Sequence, residues 1–546
     1  MFKYFIVVTV LLSMIAAGCG NKKNEETDGN GQPKEKKITR RNYSITPQNS
    51  YSNFFFDSSL MVPYFSTAQV PDSVSRRITS FYNNRNYQFA WFSSSGPTEQ
   101  ARGFWNMYKY YLSYEKEKVI NDDSLVKLMD RYIADDDEDW SGRESKLIQV
   151  ELKLTRYFIS FYLSNTERGY IKRKEMEKFI PYIKNDPVTL ADSVISKKHK
   201  DGKYYADVNP IYGKLKDYLA KYVAIKKNGG WPLVTVNAKQ LNSKTPSAEL
   251  PLLKRRLFLT GDYPAADSSL KWNDTLTAAI RSFQQRHGYK PTGTLTDQQL
   301  ADMNVPVEKR IAQLLINMYR TQWLIDDPKG RYIFVNIPEY VLHVTDNGKK
   351  VFDMEVVVGK EGHNTTIFTG NLNQVVFAPY WNVPVNIVQK EIAPQIEKNP
   401  DYLKDHNMEV TGSLGNGLPA VRQLPGGDNA LGKVKFLFPN SYDIYFHDTP
   451  AKSFFSKEKR AYSHGCIRLS DPVKMANYLL QNEAGWDAEK IDIAMNETTE
   501  QFVKLKNPVP VLITYYTAWT DDEGRLHFAE DIYGHDKMQV QKMFIQ

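Results

Sequence analysis

At about residue 330 the hydrophobic pattern of this 546-residue chain changes period. Before that point apolar side chains recur every three to four residues: Leu147, Val150, Leu154, Tyr157 and Phe161 share one helical face. Arg76–Tyr82, Leu125–Ile133 and Val307–Leu324 read as helices too. After it, β-branched and aromatic residues take over with period two. Tyr332–Ile337 is a predicted strand, interrupted by Pro338. Tyr340–Thr345 and Lys350–Val358 flank Asp346-Asn347-Gly348, a strong hairpin signal. Gln374–Phe377, Val434–Phe438, Asp443–Phe446 and Pro510–Tyr516 are further predicted strands. A helical part followed by a β part makes a multi-domain α+β chain, and roughly 150 residues per domain gives three to four domains.

Within the helical part, residues 46–248 read as a scaffold. The aromatic clusters at 87–92 and 104–114 are assigned to its core. The acidic run 135–139 lacks the alternating ligands and glycine of a calcium loop, so it reads as a solvated loop. Residues 249–304 form a compact helical unit. Leu276, Ile280 and Phe283 fall on one face, His287-Gly288 ends that helix, and Thr296 can cap the next. A connecting helix fills 305–330, the β domain 331–516, and a C-terminal extension 517–546. One segment, about 387–431, interrupts the strands with a predicted helix (Val388–Glu397) and a Gly-rich stretch (Thr411–Gly417). An insertion this long is either disordered or a functional cover.

The N-terminus reads as an export signal over residues 1–18. Lys3 supplies the positive start, Tyr4–Ile15 the apolar run, and Ala16-Ala17-Gly18 the small residues before Cys19. The run is too short to span a bilayer. The string resembles a bacterial lipoprotein signal, which implies cleavage before Cys19 and acylation of it; an ordinary secretory signal cut near Ala17 is the alternative. Residues 19–45 then form a polar tether. The net charge of +8 includes +3 from this tether, seven basic against four acidic side chains between 20 and 45. That leaves too little on the body for a nucleic-acid partner. The chain has two cysteines, Cys19 and Cys466. If Cys19 is acylated, Cys466 is a lone thiol in an exported protein, which suggests intermolecular pairing or a nucleophile.

Cys466 lies in Ser463-His464-Gly465-Cys466-Ile467-Arg468, and 19 residues upstream of it is His447, in Tyr445-Phe446-His447-Asp448-Thr449-Pro450. An ionised thiol is the best side-chain nucleophile near neutral pH. An imidazole can take its proton and become the counter-charge, if a carbonyl or carboxylate on its other nitrogen holds one tautomer. Gly465 beside the thiol lets backbone N–H groups turn toward a reacting carbonyl as an oxyanion site. Arg468 can hold an anionic substrate group or steady the loop. A thioester formed on such a thiol is attacked readily by amines, and a cover that excludes water would favour transfer over hydrolysis.

This pattern of a histidine followed by Ser-His-Gly-Cys resembles the L,D-transpeptidase family with its YkuD-type catalytic domain. Pro379-Tyr380-Trp381-Asn382, Arg422–Gly426 with Asn429-Ala430-Leu431-Gly432, Val434–Pro439, and Thr514–Trp519 with Asp531–Gly534 strengthen the resemblance toward the large, multi-domain YcbB-like branch. The 249–304 unit resembles a peptidoglycan-binding module, which would either grip glycan or act as a spacer. The resemblance implies a helical scaffold domain, that small module, and a mostly-β catalytic domain with an inserted cap subdomain. It implies Cys466 as nucleophile, His447 as general base with His464 as the rival, the Asp448 carbonyl as the group orienting the base, and the Gly465 and Cys466 amides as oxyanion donors. Arg468, Ser463, Tyr380, Trp381 and Asn429 are the implied substrate-side residues; for Arg468 a structural salt bridge, and for Tyr380 and Trp381 core packing, stay open. Where many relatives have Thr-Pro after the strand ending at Gly359, this chain has Thr366-Ile367, so the path of that loop is open.

The implied activity is cross-linking of peptidoglycan stem peptides: attack between a third-position diamino acid and the fourth D-Ala, then 3→3 transfer to an amine. That is cell-wall biogenesis and cell-shape chemistry in the envelope, facing the periplasm, with a lipid anchor on Cys19 and other wall enzymes as partners. No cofactor and no metal are expected. The same site run with water would be an L,D-carboxypeptidase, and with a free D-amino acid an exchange enzyme. A non-catalytic, lipid-tethered wall-binding protein is the reading from another class. No Lys-Thr-Gly accompanies Ser456-Lys457-Glu458-Lys459, and no His-Glu-x-x-His occurs, which disfavours serine-type and zinc peptidases.

Overall fold

The structure is a computed structural model that describes residues 38–114, 122–134, 139–166, 180–196, 210–241, 246–265, 267–323, 330–415 and 417–545. Cys19, the predicted signal, the tether up to residue 37 and positions 135–138 of the acidic run lie outside the described residues. Among the described residues no helix is long and apolar enough to cross a membrane.

Helices Asp72–Asn84, Glu99–Tyr114, Asp123–Ala134 and Glu144–Thr166 enclose an aromatic core that includes Tyr82, Phe89, Trp91, Phe104, Trp105 and Phe158. Leu147, Val150, Leu154 and Phe161 are buried along the face their spacing predicts, with Tyr157 partly buried. Glu151 is enclosed in this core. Its carboxylate accepts the Ala90 and Trp91 amides at 2.6 and 3.0 Å and the Tyr82 hydroxyl at 2.9 Å. Those bonds satisfy a group that burial would otherwise exclude, and burial still pushes its pKa up to about 7.

The β part holds nine paired strands: β1 (Arg331–Asn336), β2 (Val341–Asp346), β3 (Lys349–Gly359), β4 (Phe368–Phe377), β5 (Val434–Leu437), β6 (Phe446–His447), β7 (Ala461–Ser463), β8 (Ile467–Leu469) and β9 (Gln501–Thr514). Their order is β7-β3-β8-β6-β5-β4-β9-β1-β2, and β2 also pairs with β3, which closes the ring. Closure removes sheet edges, and the inner face fills with Val335, Leu342, Val356, Leu372, Phe436 and Ile513. The predicted hairpin turn is present: Asn347 and Gly348 both have positive φ, 49° and 72°, as a two-residue turn with this sequence requires. The strand predicted at Asp443–Phe446 is displaced; only Phe446 and His447 pair, and Asp443 has a left-handed φ of 53°.

The insertion is ordered. Strands Trp381–Asn382, Met408–Gly415 and Leu418–Gln423 form their own sheet. They pack with the helical turns of 385–398 around Val383, Ile387, Val388, Ile392 and Val421. Within those turns Val388–Ile392 is π-helical, a form concentrated at functional sites. The Gly-rich stretch is the tip of the hairpin.

The core of the small module reaches back to Val234, Ala238 and Leu241. The C-terminal extension packs between units: hairpin Ala518–Thr520/Leu526–Phe528 and helix His535–Met543 share a core with helices Pro210–Lys227 and Val307–Thr321. Buried Arg320 of the connecting helix contacts Glu99 of the scaffold at 2.5 Å and Asp536 of the extension at 2.6 Å. Arg286 of the module donates to the Leu526 carbonyl at 2.6 Å.

Candidate active site

Parallel strands β6 and β8 pair Phe446 with Ile467 and His447 with Arg468. Phe446 and Ile467 are fully buried in the barrel core. Strand side chains alternate, so Tyr445, His447, Cys466 and Arg468 share the other face. The chain crossing from the Phe438–Asp448 segment to the 463–468 turn therefore brings the 19-residue motif together at one place.

His447 is 4 % exposed. Its Nδ1 lies 2.5 Å from the Asp448 carbonyl oxygen. A carbonyl only accepts, so Nδ1 carries the proton and Nε2 keeps a lone pair. Burial, and next the Arg468 charge, push the imidazole pKa down to about 3, so the His447 ring is neutral at physiological pH. Asp448 is itself fixed: its carboxylate accepts the Lys433 amide at 2.9 Å, the Thr449 amide at 2.7 Å and the Lys452 ammonium at 2.7 Å. Gly432, at φ 61°, packs against that carboxylate where a Cβ would sit 2.6 Å from the Asp448 Cβ.

The turn that carries Cys466 is built on buried hydroxyls. Ser463 Oγ accepts the Gly465 amide at 3.2 Å and donates to the Cys466 carbonyl at 2.5 Å. Gly465 adopts φ 115°, a region closed to residues with a Cβ. Thr365 donates to the Gly465 carbonyl at 2.7 Å and accepts the Gly359 amide at 2.9 Å. The Tyr533 hydroxyl donates to the Gly359 carbonyl at 2.6 Å. Thr365, next to the Thr366-Ile367 departure, thus anchors the loop whose path the sequence left open.

The thiol of Cys466 donates to the Asp443 carbonyl at 3.5 Å, and Tyr445 lies close enough to act on the sulfur's ionisation. No hydrogen bond joins Cys466 to His447 among the described residues. Burial pushes the thiol pKa up to about 11. The resting pair is therefore a neutral thiol and a neutral imidazole, not the thiolate–imidazolium pair that the motif suggests. The left-handed Asp443 aims its carbonyl because Asn440 clamps the turn. The Asn440 amide donates to the Phe438 and Ile444 carbonyls, both at 2.7 Å, and its oxygen accepts the Tyr442 amide at 2.9 Å.

Arg468 forms no salt bridge among the described residues. Its Nε is buried without a partner, and its guanidinium lies 5.8 Å from the Phe454 ring centre. The salt-bridge alternative for Arg468 is thus not what the structure holds. His464 is exposed and turned to the cap: its Nε2 is 3.1 Å from Glu391 Oε1, in the π-helical turn, and its ring stands edge-on to His363 at 4.8 Å.

Three expected positions fall elsewhere. Ser463 has both hydrogen-bonding roles spent on the turn, so its hydroxyl supports the Cys466 backbone and is not free for a substrate. Its hold on the Gly465 amide leaves the His464 and Cys466 amides as the N–H groups of this turn without a partner among the described residues. Asn429 is 1 % exposed. Its amide donates to the Pro379 and Leu424 carbonyls at 3.0 and 2.9 Å and its oxygen accepts the Leu431 amide at 2.8 Å, which makes it an internal clamp at the cap's base. Trp381 packs on the cap core. Tyr380 stays half-buried with the Arg422 guanidinium 4.1 Å above its ring. Sequence reasoning missed Asp443, Tyr445, Glu391, Thr365 and Tyr533. Signals were available in Pro439-Asn440, a turn dipeptide ahead of the histidine strand, and in the strings Tyr445–Pro450 and Asp531–Gly534 that contain two of them. Among the described residues no group of three or more His, Cys, Asp or Glu could hold a metal ion.

Comparison with known proteins places residues 330–511 in YkuD, the L,D-transpeptidase catalytic domain, and residues 76–219 in the Scaffold domain. A Haemophilus influenzae protein named "Putative L,D-transpeptidase" is 32% identical over 300 residues, 50% of this chain and 59% of that protein. The chain thus spans under two thirds of that relative's length. Among solved structures, an L,D-transpeptidase from Stackebrandtia nassauensis is 15% identical with a TM-score of 0.21, over 52% of this chain and 96% of that one. An L,D-transpeptidase from Mycobacterium smegmatis is 14% identical with a TM-score of 0.19, over 34% of this chain and 58% of that one. Structural likenesses this faint say nothing about activity.

Proposed function

From a chain that carries a YkuD-type L,D-transpeptidase catalytic domain behind a Scaffold domain, we propose a cysteine acyltransferase that cross-links peptidoglycan stem peptides. The observation that carries this is the neutral His447, its free Nε2 on the same strand face as the Cys466 thiol and its Nδ1 fixed by the Asp448 carbonyl. In the first half-reaction the sulfur attacks the carbonyl between a third-position diamino acid and D-Ala while its proton passes to His447 Nε2. The Cys466 amide is a donor available to the oxyanion, a contribution of about 2.7–4 kcal/mol in comparable sites. The C–N bond then breaks, His447 returns the proton to the D-Ala amine, and a thioester remains. An amine from a second stem attacks it, His447 takes that proton, the sulfur leaves and is reprotonated, and a 3→3 link results.

Arg468, without a carboxylate of its own, suits an anionic group on the stem. The cap covers the turn through Glu391 and His464, and excluding water there favours amines over hydrolysis. We also propose that Cys19 is acylated and that the enzyme works in the cell envelope on the periplasmic side.

Incubating the protein with a stem tetrapeptide and weighing it intact tests the reading. The expected result is one adduct at Cys466, absent in Cys466→Ala, followed by peptide dimers. Tripeptide in place of dimers would make the enzyme an L,D-carboxypeptidase. No adduct at Cys466 would leave the non-catalytic wall-binding reading.

A further inference from the structure

Between scaffold helix Glu99–Tyr114 and the outer face of β4 lies a cleft of about 270 Å³, just under the ~300 Å³ at which small-ligand pockets begin. Asn106 and Lys109 line it from the helix, Asn371 and Asn373 from the strand, and Phe368 and Tyr442 complete it. Its walls are pinned together: the Asn106 amide donates to the Ile367 carbonyl at 2.9 Å, and the Thr369 hydroxyl to the Asn106 carbonyl at 3.1 Å.

Polar groups in this cleft have been left without internal partners. The side-chain amides of Asn371 and Asn373 make no hydrogen bond among the described residues. The Tyr442 hydroxyl is buried and unpaired. That hydroxyl is sealed from the cleft, so the polar groups the cleft offers a ligand are the two carboxamides. The cleft is also electrically quiet. Lys109 is neutralised by Asp130 at 2.8 Å, and Asp130 is held further by the Trp105 indole at 3.0 Å and the Ser441 hydroxyl at 2.7 Å.

We propose that this cleft is a subsite for an uncharged acetamido sugar of the wall glycan. Two carboxamides offer donors and acceptors together, which matches sugar hydroxyls and an acetamido group. Phe368 and the Tyr442 ring supply an apolar surface for its methyl. A stem peptide, with its carboxylates, would meet no free cation among the described residues of the cleft. The cleft also shares a loop with the nucleophile: Tyr442 lines it, and the next residue, Asp443, holds the Cys466 thiol through its carbonyl. Glycan bound on the scaffold side and peptide bound at Cys466 would thus be read on opposite sides of one short turn. The ligand's class rests on the wall-polymer reading of the function.

The test is saturation-transfer NMR and calorimetry on the full chain with a peptide-free N-acetylglucosamine tetrasaccharide. In parallel, the Cys466 adduct is weighed with a sugar-free tetrapeptide donor. Binding is expected in the wild type and at least tenfold weaker in Asn371→Ala/Asn373→Ala, with adduct formation unchanged. Asn371→Ser/Asn373→Ser is the replacement if the alanine pair melts early. Absence of saccharide binding, binding undiminished by all cleft variants, or displacement of the saccharide by the tetrapeptide would each overturn the subsite. Failure of the wild type to form the adduct would count against the catalytic reading alone, since saccharide binding is read separately.

Discussion

Gly432→Ala is the sharpest perturbation of the base that avoids touching it. Gly432 lies at φ 61°, where an L side chain costs about 1–2 kcal/mol. The added methyl would sit 2.6 Å from the Asp448 Cβ and closer still to its carboxyl, against an ordinary carbon–carbon contact of about 3.5–4.0 Å. Relief needs a shift of about 1 Å. Asp448 cannot take that up with its carboxylate tip alone, because the overlap includes Cβ, next to the backbone whose carbonyl holds His447. A displacement of that size near a reacting group costs about 10²-fold in rate. The substitution should therefore lower stability by about 1–3 kcal/mol and slow single-turnover adduct formation about a hundredfold.

Gly348→Ala separates the two effects. Gly348 has a similar φ of 72°, but a Cβ there meets nothing within 4 Å, so it carries the backbone cost without the clash. It should lose stability and keep its acylation rate. Thermal melts and time-resolved intact mass would be read side by side. Acylation by Gly432→Ala within twofold of wild type, with its melting point lowered, would refute the claim that the Asp448 carbonyl positions the base.

Four further outcomes are expected from the geometry. His447→Ala should abolish thioester formation while His464→Ala only impairs it, measured as adduct per turnover; the reverse order would move the base to His464. With the thiol pKa pushed up to about 11, the neutral form dominates below that value. Alkylation of Cys466 by iodoacetamide in the free enzyme should then keep rising to pH 10, and a plateau between pH 6 and 8 would mean a preformed thiolate. Glu391→Gln should loosen the cap from His464 and raise the ratio of tripeptide to dimer, as should deletion of 390–428, both read by chromatography; unchanged ratios would remove the water-exclusion role. Glu151 has a folded pKa raised from 4.5 to about 7, so the folded state binds its proton more tightly. Its stabilising share is full below pH 4.5 and is lost as pH rises through 7, by about 3 kcal/mol. Urea titrations of Glu151→Gln at pH 4.5 and 8 should show a smaller pH dependence than wild type.

The architecture was legible because period is a long-range signal: the helical faces and the alternation of 332–358 each rest on many residues agreeing. The nucleophile motif was legible because Ser463, His464, Gly465 and Cys466 are contiguous. What escaped was set by contacts between distant segments. Asp443–Phe446 reads as strand, but the Asn440 side chain closes the turn and leaves Asp443 left-handed. Ser463 has a substrate-like hydroxyl in sequence, yet the positive φ of Gly465 folds the backbone onto it. Asn429 is a polar residue in a Gly-rich segment, the usual look of a surface loop, and is buried only because three backbone groups of the cap's base converge on it. The insertion read as disordered or functional. Its order comes from five apolar side chains spread over Val383–Val421, too sparse to show a period.

Arg468 links the two halves of the site electrostatically. Its charge holds the His447 pKa down, and the same charge favours the thiolate of Cys466. An unpaired guanidinium therefore makes His447 a poorer proton acceptor in the resting state while lowering the cost of the anion that proton loss creates. Burial dominates for both groups, so the resting site keeps its proton on sulfur, parked on the Asp443 carbonyl. A carboxylate docked on Arg468 would cancel that charge at both groups, raising the basicity of His447 and the pKa of the thiol together. With the resting proton on sulfur, the proposed attack needs that proton to pass to His447 as the sulfur reacts, not before.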